Sequence, residues 1–495
     1  MAFTAEQEQK LAALADAISQ DGFSQIDDLP VADFSASDKK LEVFNATKGR
    51  SEQMSLVDAV SLGQALYCGR VWNLDNATPV AVSTVGSVEM LQQLPDLLQL
   101  GCYLVKNDHT RQKLDSQNHH LLATGERAKL DGTDGHYMWG WGRKWYLSIE
   151  SDGHLLSIFV SLQPIPGKFN YEIPIASTSA MGHGVMDRES GTLVSFINET
   201  AQYRGGNNNS EWDGTYRSLL GMPATNMTCQ QFLTAARKNG EGWTGGSVRM
   251  HAAIAYLFYV IFGTFNVQTA YNANKDANGL YQGGFGPGVS NWTSGAWSAY
   301  NSYNPIIPTD AGIELGDACG ISDYEVKDEN GDTVYTAHIP CFFGLKNFYG
   351  HLWRMMTDEQ FQANEDTSLT HLIATHIFGT FNIGNAEGFK AYTTTPTQVE
   401  GWVKKASLAN LELCPTAVGG SETTYFCDYF YNTSGVTSGF RIVSRGGDAY
   451  FVGRDGLAFV DGDNAVSVAG ANYGSPLCEF SEEWSVDPVY ADKNA

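Results

Sequence analysis

The sequence predicts an α+β fold rich in strands and loops, and three observations carry that expectation. Asp-Gly pairs at 131, 134 and 152 punctuate aromatic and β-branched runs between Leu130 and Gly167, which is how hairpins are written. The apolar run Val248 to Phe262 is too short to span a bilayer and reads as a buried core helix. The stretch Arg445 to Cys478 keeps spaced glycines and small residues, while its side chains follow neither the helical nor the strand period. Such a segment reads either as a display surface or as an ordinary glycine-rich loop before a terminal strand.

Composition fits this class. With 43% hydrophobic and 17% charged residues the chain is globular, and 52 glycines with 12% aromatics suit strand-and-loop architecture. A length of 495 residues allows about two to four domains. The formal charge of −24 leaves no basic stripe for phosphates, so a nucleic-acid partner is not expected. Eight cysteines at wide, irregular intervals include no CxxC pair, and reduced, buried thiols are expected. The opening residues carry no basic region followed by an apolar run, so no secretory signal is read there.

In chain order, Thr4 and Gln7 form a capping box ahead of a short helix with Leu11, Leu14 and Ile18 on one face. Too brief to be stable alone, it packs on symmetry mates, another particle component or its own domain. Residues 21–50 read as irregular and polar. Ser55 to Tyr67 and Glu89 to Leu100 read as helices from apolar residues at three- and four-residue spacing. Trp139, Trp141 and Trp145 offer a stacking surface or, more commonly for sheet aromatics, core. Pro164 and Pro166 close the hairpin unit. Thr228 is a sound N-cap for a helix from about Cys229 to Lys238, and Gly240 a sound stop. Asn330-Gly331 marks a further hairpin, and Ser438 to Arg441 a further strand.

Gly446-Gly447, Gly456-Leu457-Ala458 and Ala471 to Cys478 frame the terminal segment. That frame resembles the variable region of C-type-lectin-fold proteins diversified by retroelements, typically adhesins at phage tail-fibre tips. Residues 201–221, the Pro223 to Thr228 turn and the Gly350-x-x-Trp353 strand are similar to the same family. They are also similar, more distantly, to the formylglycine-generating-enzyme superfamily that shares the fold. The resemblance covers roughly 115–480. It implies a homotrimer, a C-terminal lectin-fold domain and a ligand-facing variable surface, in a virion protein made in the host cytoplasm.

Catalytic signatures are missing from the sequence: no HExxH, no GxSxG, no P-loop. The GGFGPG run at 283–288 is no dinucleotide loop, because Pro287 breaks its spacing. Neighbours on a strand point to opposite faces, so Asn118-His119-His120 does not suggest shared ligation. Asp461-Gly-Asp463-Asn464 begins like a calcium loop but fails it at Ala465, Val466 and Asn472. Copper chemistry of the formylglycine-generating type needs paired thiolates, and the terminal segment offers only Cys478. Paired carboxylates of a glycan hydrolase need not be adjacent in sequence.

The expected organisation is therefore a mostly helical attachment and oligomerisation region (1–110), a small β-rich domain (111–175) and a lectin-fold ligand-binding domain (176–495). The function expected is receptor binding, with a structural virion protein or a tail hydrolase as alternatives. The partners expected are a host cell-surface protein or glycan and, through the N-terminal region, other tail proteins. No cofactor, metal or membrane insertion is expected. The ligand-facing residues are expected to be Asp448, Tyr450, Phe451, Arg454, Asp461, Asp463, Asn464, Val468, Gly470 and Asn472. Six of these ten are Asp, Asn or Tyr, as adenine-targeted diversification of asparagine-type codons allows. For Phe451 and Val468 the alternative is plain core.

Overall fold

A computed structural model describes residues 40–45, 50–55, 67–271, 294–392, 396–432 and 435–492. The α+β class holds. Strands dominate, and the described residues include four α-helices: α1 (Val88–Leu98), α2 (Cys229–Ala236), α3 (Val248–Phe262) and α4 (Ser294–Asn301).

Helix α3 is the hub. Every residue from Val248 to Val260 is buried, because sheet surfaces lie around it instead of on one side. It packs on the strands Tyr67–Asn73, Leu155–Ser161, Ala176–Ser179 and Trp353–Ala363. Apolar side chains buried this completely are worth roughly 1.5–3 kcal/mol each. Arg249 and His251 in its interior are tied to neighbouring elements. Arg249 pairs with Asp358 at 2.9 Å, and Asp358 also accepts the Ser247 hydroxyl (2.6 Å) and the Val248 amide (2.8 Å) at the helix start. His251 contacts the Leu457 carbonyl at 2.7 Å, which ties α3 to the terminal segment.

Two six-stranded sheets take up most of the first half of the chain. One runs Val489–Tyr490, Phe169–Ile173, Trp145–Ser151, Leu155–Ser161, Tyr67–Asn73, Ser83–Gly86. The other runs Trp243–Thr244, Cys478–Phe480, Ala176–Ser179, His136–Gly140, Gly101–Val105, Arg111–Lys113. Backbone pairing thus crosses both expected boundaries, 110/111 and 175/176, and C-terminal strands complete both sheets. A nine-stranded sheet built on Trp353–Ala363 and Phe440–Arg445 carries the terminal segment.

Several local expectations are met in detail. Thr228 accepts the Gln231 amide and Gln231 reaches back to the Thr228 amide, closing a capping box on α2, and Gly240 at φ 127° ends the turn beyond it. The hairpins Trp145–Ser151/Leu155–Ser161 and Gly320–Lys327/Thr333–Phe342 turn at Asp152-Gly153 and Asn330-Gly331. Trp139, Trp141 and Trp145 are fully buried, so they are core and not a stacking surface. All eight cysteines are free, seven of them buried and Cys319 exposed.

Other expectations need correction. Before residue 110 the described elements are one helix and five strands, Lys40–Asn45, Arg50–Ser55, Tyr67–Asn73, Ser83–Gly86 and Gly101–Val105. Tyr67–Asn73 hides its strand character because it packs on both faces, which erases the two-residue alternation. Lys40–Asn45 lies within the stretch read as irregular, Ser55 closes a strand, and Tyr67 opens the next described one. The capped helix at Thr4–Ile18, residues 56–66 and the GGFGPG run lie outside the described residues.

Candidate ligand-binding face

The face begins where the core stops. Arg445, the last residue of strand Phe440–Arg445, is fully buried and makes two bonds to Glu359, Nε–Oε2 at 2.9 Å and Nη2–Oε1 at 2.6 Å. His371 bridges Glu359 (2.7 Å) and Glu412 (3.1 Å) behind it. From this anchor the chain leaves the strand through Gly446 and Gly447, both at positive φ (90° and 79°). A Cβ on Gly447 would lie 1.8 Å from Asp455 Oδ1, so the position demands glycine for space as well as for conformation.

Beyond the turn the ten expected residues fall into three levels of exposure. Tyr450 (45% exposed) and Asp463 are exposed. Phe451, Arg454, Asn464, Val468, Gly470 and Asn472 are half-buried. Asp448 and Asp461 are buried, at 1% and 5%. The buried pair positions the others. Asp448 accepts the Tyr450 amide (3.1 Å) and the Asn472 side-chain amide (2.9 Å), which joins the two ends of the segment. Asp461 accepts the Asp463 amide (2.8 Å) and the Asn464 side-chain amide (2.9 Å), and the Tyr473 hydroxyl approaches it at 3.4 Å. Burial pushes both carboxyls up to about 7.

The half-buried residues rest on an aromatic shelf. Phe451 meets Trp353 (5.6 Å), Tyr431 (5.1 Å) and Phe459 (5.8 Å), and Tyr450 stands edge-on to it at 5.0 Å. Arg454 lies over Tyr429 at 4.5 Å and hydrogen-bonds the Tyr431 hydroxyl. Val468 packs against the same cluster. Gly470 and Asn472 act through their carbonyls, which accept the Asn226 and Trp353 amides at 2.9 Å each. Tyr429 and Tyr431 were missed from the sequence. Their signal is the aromatic alternation of Tyr429-Phe430-Tyr431, a strand whose Phe430 is fully buried while the tyrosines are half-buried.

A second polar cluster lies elsewhere. His119 sits in a turn and not on a strand; it is buried while His120 is exposed, so the pair shares no site. Its ring instead spans Tyr137 Oη (2.6 Å) and Asp317 Oδ1 (3.0 Å). Cys102, His119 and Asp317 bring potential metal-ligand atoms within 4.8 Å of one another. The buried Lys346 ammonium already supplies a cation there, donating to Tyr137 Oη (3.1 Å) and the Gly344 carbonyl (2.9 Å). Burial also pushes the Cys102 thiol up, against the thiolate a metal needs. This network reads as a structural clamp between strand Gly101–Val105 and the loop at Asp317.

No protein-family model matches the chain, and no curated protein matches it either. Among the described residues no helix is long and apolar enough to cross a membrane.

Proposed function

We propose that this protein is a receptor-binding adhesin of a phage or prophage tail. In this reading residues 176–495 form a C-type-lectin fold that presents residues 448–472 to a host cell-surface protein or glycan. The N-terminal region attaches to other tail proteins, and the chain assembles as a homotrimer. One observation carries the reading: irregular backbone, fixed at both ends by buried bonds, holds Tyr450, Arg454, Asp463 and Asn464 at the surface over an aromatic shelf. Rigid scaffolds with side chains displayed on loops are how binding proteins commonly separate stability from recognition. Aromatic and arginine residues are also the commonest anchors of interfaces.

The hydrolase alternative would rest on Asp448 and Asp461, two carboxyls raised towards neutrality. Both are buried and already hydrogen-bonded within the segment, which suits support of a surface better than attack on a polysaccharide. The test is binding of fluorescently labelled protein to a panel of bacterial cell envelopes. Saturable binding to at least one strain, competed by unlabelled protein and without release of sugar, is expected. Absence of binding across the panel, or release of saccharide fragments, would overturn the reading.

A further inference from the structure

Beneath the face lies a pair of carboxylates that the binding surface does not use. Asp455 is completely buried, and neither of its carboxylate oxygens has a hydrogen-bond partner. Asp428, 2% exposed, accepts one bond, from the Ala458 amide to Oδ2 at 2.7 Å. The segment is shaped around these groups. A Cβ on Gly447 would fall 1.8 Å from Asp455 Oδ1, and one on Gly456 would fall 2.1 Å from Asp428 Oδ1. Two carboxylates are therefore packed against bare backbone at neighbouring points of one turn. The Asp428 charge reaches Asp455, and both charges reach the buried Tyr349 ring. Tyr259, on α3 and within reach of the Asp428 charge, has a buried hydroxyl without a partner.

An ionised carboxylate with no donor in a dry interior costs several kcal/mol or more, so it must be neutralised. Arg454, whose charge reaches Asp455, spends its guanidinium on Tyr429 and Tyr431. The pair itself offers carboxylate oxygens, burial holds the neighbouring Cys427 thiol protonated, and the group of three metal-ligand side chains among the described residues lies elsewhere, at Cys102. Hard oxygen ligands in a buried, largely dehydrated setting suit calcium better than magnesium, which keeps its waters.

We propose that Asp428 and Asp455 are the anionic ligands of a buried calcium ion that locks the turn 446–459 onto the sheet. Backbone carbonyls and water complete the coordination. The ion lies under the ligand face and not in it, so its work is to rigidify the frame from which Tyr450 and Arg454 project. This proposal does not depend on what the face binds. The competing state is proton uptake: burial pushes both carboxyls well up, and a neutral acid would also relieve the charge.

The test compares thermal unfolding of the full chain at pH 7.5 after EDTA treatment and after addition of calcium chloride. Calcium content is measured by elemental analysis. About one calcium per chain and a rise in Tm of roughly 3–5 °C are expected. Asp455→Asn should lose both, while Glu365→Gln, on an exposed turn, keeps both. If Asp455→Asn does not fold, terbium luminescence of the wild-type protein, sensitised by the nearby tyrosines and displaced by calcium, gives the same information. Equal Tm in EDTA and calcium with no bound ion would overturn the proposal. A higher Tm for Asp455→Asn than for wild type with calcium present would likewise overturn it and assign the pair to the protonated state.

Discussion

Two buried charge clusters lie on either side of Arg445, and they are built on opposite principles. Behind it, Glu359, His371, Glu412 and Arg445 form a compensated network in which each carboxylate faces a cation. Ahead of it, Asp428, Asp448, Asp455 and Asp461 are buried with far less compensation, and burial raises all four. The first arrangement specifies a unique strand exit and tolerates little change. The second leaves groups whose charge depends on pH or on a bound cation, directly beneath the displayed side chains.

The largest effect expected from this contrast is at the anchor. Arg445→Met leaves Glu359 buried and unpaired apart from His371, and should cost about 3–5 kcal/mol. Chemical denaturation checks it, and a loss below roughly 1 kcal/mol would mean that the network does not hold the strand exit. A smaller effect of opposite sign is expected ahead of it. Asp448 titrates near 7 when folded, against an ordinary value of 3.8. Its contribution to stability is fully present below the unfolded value and is lost as pH rises towards about 7. Asp448→Asn should therefore be less stable than or equal to wild type at pH 4 and more stable at pH 8, by about 1–3 kcal/mol. Asn472 can turn its amide to accept from the new side chain, so the bond between the segment ends survives. Unfolding curves at the two pH values would sharpen the contrast, and a pH-independent difference would break it.

What could be read in advance divides along the same line. Elements whose geometry comes from local chemistry were legible: the capping box at Thr228, the hairpins at Asp152-Gly153 and Asn330-Gly331, and the apolar helix α3, whereas Asp131-Gly132 and Asp134-Gly135 join no paired strands. Elements whose geometry comes from distant partners were not. Tyr67–Asn73 loses its period by packing on both faces, and Cys478–Phe480 completes a sheet begun nearly 400 residues earlier, at Gly101–Val105. Within the face, spacing marked Asp448 and Asp461 but could not tell that they are buried. Their burial follows from bonds to Asn472 and Tyr473 across the segment, which no local pattern records. His119 was misplaced for the same reason, since its partners Tyr137 and Asp317 are remote.

Assembly offers a further check of modest size. A homotrimer is expected from light scattering at micromolar concentration, and a single-chain mass would contradict it. The most direct test of the central claim measures binding and stability together for Tyr450→Ala, Arg454→Ala, Asp463→Ala and the frame variant Gly447→Ala. The displayed residues are expected to lose about tenfold or more in cell binding for at least two of the three, at a stability cost near ±0.5 kcal/mol. Gly447→Ala is expected to lose stability first, because its new Cβ has no room beside Asp455. Normal binding by all three displayed variants, or unfolding of all three, would contradict the account.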